Sequence, residues 1–190
     1  MQRSDEDKLR LFREKLYTPV VSDVLDALGF RRQAMRHDIR PLRSDFVVAG
    51  RARTLLWMNT YEDIKPNPYV NEIKAIDSLT PGDVAVHSTD YSWSIACWGE
   101  LLTTAARVRG STGTIVDGLA RDVPKVLAMN FPTFARGICP LDSRGRGFVA
   151  DFDVTIRCGE VEVHPGDIVF GDYDGVVVVP RPAEDEVIAN

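Results

Sequence analysis

The sequence predicts one α/β domain with a mixed β-sheet and flanking helices. Two amphipathic helix patterns open the chain, helices alternate with apolar strand-like runs through its middle, and short β-rich runs fill residues 153–180. A single domain of 190 residues buries about 70% of its unfolded surface. Because no linker or low-complexity tract divides the chain, we expect one domain over residues 1–190.

Two helices are predicted at the N-terminus, within about residues 4–29. Leu9, Phe12 and Leu16 recur at helical spacing and define the first. The second helix begins at Thr18-Pro19 and ends at Gly29, since proline fits the first turn of a helix and glycine favours its end.

Strands and helices alternate after these helices. We expect strands at residues 46–49 and 51–57, on either side of Gly50, and at residues 84–87 and 131–135. A helix is expected at residues 70–79 and a surface loop at residues 141–148. Four β-rich runs at residues 154–157, 161–164, 168–170 and 176–179 predict an antiparallel meander.

The most informative stretch is a predicted helix over residues 99–109 followed by a buried strand over residues 114–116. Such a pair returns the chain to where it started, which brings Arg121 and Asp122 toward the helix start. The first N–H groups of a helix can hold a carboxylate or phosphate, and here they belong to Gly99, Glu100, Leu101 and Leu102. Arg121 offers a planar fork of donors, and Asp122 offers oxygen ligands for a divalent cation. We predict an anion and metal site.

A purely structural alternative stays open at this point. Asp is common at helix starts, so Asp122 would cap a helix beginning at Val123, with Pro124 in its first turn. Arg121 would then merely pair with an acid. Asp117, which follows the predicted strand and precedes a glycine, is interpreted as a turn former.

Composition argues against several partners. The net charge of -5 and the acidic isoelectric point of about 5.2 do not suit a nucleic-acid or anionic-membrane partner. The three cysteines lack the spacing of a disulfide framework or a zinc site. The sequence contains no signal-peptide core and no run near the ~20 apolar residues of a membrane span. We expect a cytoplasmic protein.

Other chemistries lack their motifs. The sequence contains no glycine-rich dinucleotide or P-loop fingerprint and no serine elbow. His37, His87 and His164 share no metal-ligand spacing, and structural roles are expected for them. The three tryptophans are expected in the core rather than around a pocket: Trp57, Trp93 and Trp98. A metal-assisted reaction is what remains.

Six motifs follow one another in a characteristic order: GELL at 99–102, GTIVDG at 113–118, RD at 121–122, FARG at 134–137, PGD at 165–167 and DGVVVVP at 174–180. Over about residues 18–182 this order resembles the family of the ribonuclease E activity regulator and the 4-hydroxy-4-methyl-2-oxoglutarate / 4-carboxy-4-hydroxy-2-oxoadipate aldolases. The resemblance implies a swivelling β/β/α domain, RraA-like, that assembles as a homotrimer or hexamer with its site between subunits.

The resemblance also implies roles for the site residues. In the aldolases, the residue matching Asp122 binds Mg²⁺ or Mn²⁺ largely through waters, and the residue matching Arg121 contacts the keto acid. The backbone matching Gly99 to Leu102 holds the substrate carboxylate. The position of Glu100 is an Asp in the best-known aldolases, where it is tied to a water that transfers a proton. Those enzymes also carry an acid on a C-terminal helix, which we assign to no residue of this sequence.

The sequence therefore predicts a divalent-metal-dependent lyase that cleaves a carbon-carbon bond of a small 2-oxo acid through a pyruvate enolate. Decarboxylation of oxaloacetate would use the same route. Arg121 and Glu100 are the predicted catalytic residues, and Asp122 is the predicted metal ligand. The alternative is a non-catalytic, protein-binding regulator similar to the ribonuclease E inhibitor.

Overall fold

A computed structural model describes residues 4–189 of the chain. It contains the helices α1 (Asp5–Lys15), α2 (Thr18–Ala27), α3 (Val70–Asp77), α4 (Glu100–Val108), α5 (Val123–Ala128) and α6 (Glu184–Ala189), with a 3₁₀ turn at Arg181–Ala183. Its strands are β1 (Arg40–Pro41), β2 (Val48–Asn59), β3 (Asp83–Ser88), β4 (Ala96–Trp98), β5 (Gly113–Ala120), β6 (Thr133–Ile138), β7 (Gly147–Phe152), β8 (Ile156–Cys158), β9 (Val161–Val163), β10 (Ile168–Asp172) and β11 (Gly175–Val179).

Nine strands form one mixed sheet in the order β1-β6-β5-β3-β2-β10-β11, with β4 beside β5 and β7 beside β2. The central strands β2, β3, β5 and β6 run parallel, and β10 joins β2 in the antiparallel sense. Helices α3 and α4 follow parallel strands as crossover connections, as parallel pairing requires. The predicted α/β class with a mixed sheet and flanking helices is confirmed.

The two N-terminal helices form where the hydrophobic spacing predicts them. Ser4 caps α1 by accepting a hydrogen bond from the Asp7 N–H, and Leu9 and Phe12 are buried on one helix face. The rings of Phe12 and Phe170, the latter on β10, pack edge to face with centroids 5.4 Å apart. These contacts fasten the N-terminal helices to the antiparallel end of the sheet.

Two strand predictions are wrong around glycines. Residues 46–49 and 51–57 do not form two strands, because β2 runs without interruption through Gly50. A Cβ at Gly50 would lie 2.6 Å from Val84 Cγ2, so this glycine serves close strand packing and not a turn. Similarly, β5 continues through Asp117 and Gly118 to Ala120. Asp117 is buried inside this strand and accepts a hydrogen bond from the Gly159 N–H at 3.1 Å, so its interpretation as a turn former is wrong.

The C-terminal β-rich part is not one meander. β8 and β9 form a separate two-stranded sheet, whereas β10 and β11 join the main sheet through β2. The predicted loop at residues 141–148 is shorter, since β7 begins at Gly147 and pairs with β2. After β11 the chain forms α6, in which Glu184 is buried against Lys8 and Arg51 of the same chain. Across residues 4–189 no helix is long and apolar enough to span a bilayer.

Candidate active site

A cavity of about 330 Å³ lies where β4 and β5 end. Helices α3 and α4 form its walls, and the loop between β6 and β7 covers one side. Its lining residues are Tyr69, Glu72, Ile73, Ala96, Cys97, Trp98, Gly99, Leu101, Leu102, Arg121, Asp122, Asp142 and Ser143. The carboxyl ends of parallel strands are the usual position of a ligand site in an open α/β sheet.

Gly99 connects β4 to α4 and lies directly against the Arg121-Asp122 pair. The Arg121 N–H donates to the Trp98 carbonyl at 2.8 Å, which holds the end of β5 beside the start of α4. A Cβ at Gly99 would lie 2.7 Å from Asp122 Oδ2 and 3.0 Å from Arg121 Cγ. The predicted return of the chain to its starting point is therefore observed, and it depends on a residue without a side chain.

Asp122 occupies the N-cap position of α5, but its side chain makes no capping hydrogen bond there. Its backbone is left-handed, with φ 54° and ψ 28°, a conformation that Asp adopts more readily than most residues. The carboxylate turns instead to the start of α4, where Oδ2 accepts a hydrogen bond from the Glu100 N–H at 3.2 Å. The structural alternative, in which the Asp122 side chain caps its own helix, is therefore wrong.

Arg121 lies between two carboxylates at the cavity wall. Its Nε is 3.8 Å from Asp122 Oδ2, and its Nη2 is 3.5 Å from Asp142 Oδ1. The alternative in which Arg121 pairs with an acid therefore agrees with these two contacts. Both contacts exceed normal hydrogen-bond length, so the guanidinium keeps donors for a ligand.

The start of α4 offers two backbone donors to the cavity. Asp122 already uses the N–H of Glu100, and the N–H of Thr103 donates to the Gly99 carbonyl at 3.0 Å. Within residues 4–189, no hydrogen bond engages the N–H groups of Leu101 and Leu102. These two groups, at the positive end of the helix dipole, can bind an anion.

Glu100 is the one predicted site residue that is not among the described residues lining the cavity. It contributes its backbone N–H to Asp122. Its predicted catalytic role stays a prediction.

Sequence reasoning missed four lining residues with oxygen-bearing side chains: Tyr69, Glu72, Asp142 and Ser143. The Tyr69 hydroxyl donates to Asp142 Oδ2 at 2.6 Å, and burial with the neighbouring Asp142 charge raises the pKa of Tyr69 to about 12. Glu72 had a detectable signal, because it lies three and four residues before Ala75 and Ile76, on the buried face of α3. Asp142 and Ser143 belong to a loop and had no periodic signal.

His87 and His164 confirm the expectation of structural roles. His87 is fully buried on β3, and its Nδ1 accepts a hydrogen bond from Trp57 Nε1 at 3.1 Å. Burial lowers the pKa of His87 to about 3. His164 contacts Thr155 and Glu162 away from the cavity. Trp57 and Trp98 are buried as expected, and Trp98 also lines the cavity, but Trp93 is exposed, so its expected place in the core is wrong.

The donor set at Asp122 fits a divalent cation that keeps most of its water. Residues 4–189 contain no cluster of three or more His, Cys, Asp or Glu side chains suited to a metal. Asp122 presents a partly exposed carboxylate at the cavity wall with one hydrogen bond to Glu100. Mg²⁺ is commonly held by one or two carboxylates with waters and ligand oxygens completing its octahedron, so a single carboxylate suits it.

Known proteins share this architecture. The chain matches the family model described as RraA-like, Aldolase/RraA, over residues 18–178. A relative from Halalkalibacterium halodurans, provisionally named 4-hydroxy-4-methyl-2-oxoglutarate aldolase, is 32% identical over 99% of this chain and 83% of its own.

Solved structures agree with the sequence match. A chain described among novel cellulases from gut-associated microbes superposes with a TM-score of 0.93 at 30% identity, covering 100% of this chain and 84% of that one. RraAS2 of Streptomyces coelicolor, described as an unusual member of the RNase ES inhibitor RraA family, gives a TM-score of 0.87 at 29% identity, with 100% and 92% coverage. The chain belongs to the RraA-like family.

Proposed function

We propose that this protein is a divalent-metal-dependent lyase that cleaves a carbon-carbon bond of a small 2-oxo acid through a pyruvate enolate. The observation that carries the proposal is the junction of Arg121, Asp122 and the start of α4 at one wall of a small cavity. The relatives named as 4-hydroxy-4-methyl-2-oxoglutarate aldolases support a lyase.

The cavity suits a small acid with adjacent oxygens. The N–H groups of Leu101 and Leu102 would bind the substrate carboxylate at the positive end of α4. Arg121 would donate to the 2-oxo oxygen, where negative charge develops as the enolate forms. A volume of about 330 Å³ lies at the lower end of ligand pockets and suits a small substrate over a polymer.

Asp122 would hold the cation, and its hydrogen bond with the Glu100 N–H would orient the carboxylate toward the cavity. A bound divalent cation supplies Lewis-acid polarisation of the substrate oxygen. Glu100 would orient a water that transfers a proton, as the resemblance implies. Oxaloacetate decarboxylation is included in the proposal because its product is the same enolate.

The test is pyruvate formation, coupled to lactate dehydrogenase, from 4-hydroxy-4-methyl-2-oxoglutarate and from oxaloacetate. Each substrate is assayed with Mg²⁺, with Mn²⁺ and with chelator, for the natural sequence and for Arg121→Ala. We expect metal-dependent turnover that falls at least about 100-fold in Arg121→Ala, because a donor to the developing oxyanion is lost. Arg121→Lys keeps the charge but not the planar fork and should recover only part of the rate.

Turnover that persists with chelator would contradict the metal dependence, and turnover that Arg121→Ala leaves unchanged would contradict the assignment of the active site. A cello-oligosaccharide serves as the comparison substrate, and we expect no cleavage of it. We expect the active species to be a homotrimer or hexamer, which light scattering of the same preparation measures.

Gly99→Ala tests the close approach at the start of α4. Its φ of -168° is open to any residue, so the backbone tolerates alanine, but the new Cβ would displace the Asp122 carboxylate. We expect at least about a 100-fold loss of kcat/KM, the scale expected for a 1 Å misplacement. Gly29→Ala is the contrasting variant: its φ of +91° predicts a stability loss of about 1 kcal/mol with activity retained. Thermal unfolding and the pyruvate assay distinguish the two, and equal activity loss in both contradicts the prediction.

The second candidate function is a protein-binding regulator. The likeness to RraAS2 over the whole chain favours it, since that protein is described within an RNase ES inhibitor family. A ribonuclease E-type endonuclease assayed with and without equimolar protein provides the test. Inhibition that survives Arg121→Ala, with no turnover of any tested acid, would favour the regulator.

A further inference from the structure

Glu72 is a buried carboxyl group on the wall of the cavity. It lies in the first turn of α3, is only 7% exposed, and faces the space that Arg121 and Asp122 also line. Within residues 4–189, no hydrogen bond or ion pair is made by its carboxyl group. A buried carboxylate without a partner is unfavourable, and groups of this kind concentrate at functional sites.

The surrounding groups leave a negative charge on Glu72 without a direct partner. Asp142, on the covering loop, repels a negative charge on Glu72, and Arg121 is the nearby cation that opposes this effect. Arg121, however, turns its Nη2 to Asp142, and the Tyr69 hydroxyl also donates to Asp142. Cys97 on β4 is fully buried, which raises the pKa of its thiol well above the usual value and keeps it neutral.

Burial and the Asp142 charge together raise the pKa of Glu72 to about 7, against the opposing effect of Arg121. The group therefore binds and releases a proton near neutral pH. The other two cavity carboxylates are already engaged, Asp122 by the Glu100 N–H and Asp142 by Tyr69. Glu72 is the cavity carboxyl that remains available to a substrate.

We propose that Glu72 is the catalytic acid and base of this site, and that it carries one proton from the substrate hydroxyl to the product carbon. This inference rests on the proposed lyase function. It assigns proton transfer to a cavity-lining side chain on α3, in place of the water that Glu100 would orient.

The proton balance closes within one turnover. The Glu72 carboxylate accepts the proton of the C4 hydroxyl as the C3–C4 bond breaks, and C4 becomes a carbonyl. The electron pair of that bond enters the enolate of pyruvate. Protonated Glu72 then donates the same proton to C3, which yields the methyl group of pyruvate and restores the carboxylate. No oxidant, reductant or further reactant is required.

The first test compares Glu72→Gln with the natural sequence in two reactions. One is pyruvate formation from 4-hydroxy-4-methyl-2-oxoglutarate, and the other is exchange of the pyruvate methyl protons in D₂O, followed by NMR. We expect a loss of at least about 100-fold in both reactions with KM changed little, since general acid-base catalysis contributes about 10²–10⁴. Glu72→Asp should recover part of both rates. Glu62→Gln, an exposed glutamate before α3, is the matched control and should behave as the natural sequence.

The second test measures pH dependence. The kcat/KM of the natural sequence should rise through a pKa near 7 that disappears in Glu72→Gln. In metal-free protein, native Glu72 binds more protons than the unfolded chain between about pH 4.5 and 7, so its contribution lowers stability as pH rises through that window. Glu72→Gln should therefore unfold about 5 °C higher at pH 8 and lose this pH dependence.

The outcomes distinguish failure of the proposed function from failure of the role proposed for Glu72. If the natural sequence shows neither turnover nor exchange with any metal, the proposed function fails, and the role of Glu72 fails with it. If the natural sequence is active and Glu72→Gln retains its rate, exchange and pH profile, only the role of Glu72 is overturned. A folded Glu72→Gln protein that loses both reactions supports the proposal.

Discussion

Asp122→Asn is expected to reduce metal-dependent pyruvate formation by at least about 10³-fold, because a bound cation supplies several kcal/mol of transition-state stabilisation. Asn is chosen over Ala because Asn also tolerates the left-handed backbone of position 122, with its φ of 54°. Its side-chain oxygen can still accept the hydrogen bond from the Glu100 N–H. The substitution thus removes the negative charge and leaves the local hydrogen bond and backbone in place.

Metal affinity and folding are measured beside the rate. Mn²⁺ binding, followed by electron paramagnetic resonance, should weaken in Asp122→Asn, while thermal unfolding without metal should change little. Asp122→Ala, in contrast, should lower the unfolding temperature as well, since Ala disfavours the left-handed conformation by about 1–2 kcal/mol. Mn²⁺ affinity equal to that of the natural sequence in Asp122→Asn would show that the cation binds elsewhere.

Glu184→Gln is expected to reduce the free energy of unfolding by about 3 kcal/mol. Glu184 is 4% exposed and lies between two cations that are themselves buried. Its Oε2 is 3.2 Å from Lys8 Nζ and 3.0 Å from Arg51 Nη2, and its Oε1 also pairs with Arg51. Removing this charge leaves both cations without their buried partner. Breaking a buried ion pair by removing one partner is strongly destabilising, because the remaining charge stays buried.

The exposed acids at the same cluster provide the control. Asp5 pairs with Arg51 at 2.6 Å, but its side chain is 63% exposed, so Asp5→Asn should change stability by less than about 1 kcal/mol. Urea unfolding of both variants, with the m-value as a check of two-state behaviour, measures the contrast. Equal changes in the two variants would mean that burial does not determine the strength of these pairs. Neither variant should alter kcat/KM, because the cluster lies on α1, β2 and α6, and none of its residues lines the cavity.

The local sequence pattern was sufficient to predict features that depend on one short stretch of the chain. The hydrophobic spacing of Leu9 and Phe12 predicted α1, and the pattern after Gly99 predicted α4 to within a residue. The position of Asp122 beside the start of α4 followed from the lengths of one helix and one strand. These features depend on spacing along a single stretch of chain, which periodicity reports directly.

Features that depend on distant residues were not predictable. Gly50 was expected to interrupt a strand, but its neighbours Val84 and Thr112 come from other parts of the chain and require a continuous β2. The split of the C-terminal meander arises because β10 pairs with β2 and not with β9. Pairing partners in a sheet are chosen by the whole fold, and single-strand patterns do not identify them.

The α/β class, the family and the Arg121-Asp122 pair at the start of a helix were all predictable from the sequence. The directions in which the side chains face were not, because they depend on tertiary contacts. The tertiary structure turned the Asp122 carboxylate to α4 and Arg121 to Asp142, and it placed Glu72 in the cavity. The physical reason is that a residue's neighbours on its own element follow from helical or strand periodicity, whereas burial and charge at a site come from elements far apart in the chain. Glu72 is an ordinary helix residue in the sequence, and folding makes it a buried carboxyl group beside Arg121 and Asp142.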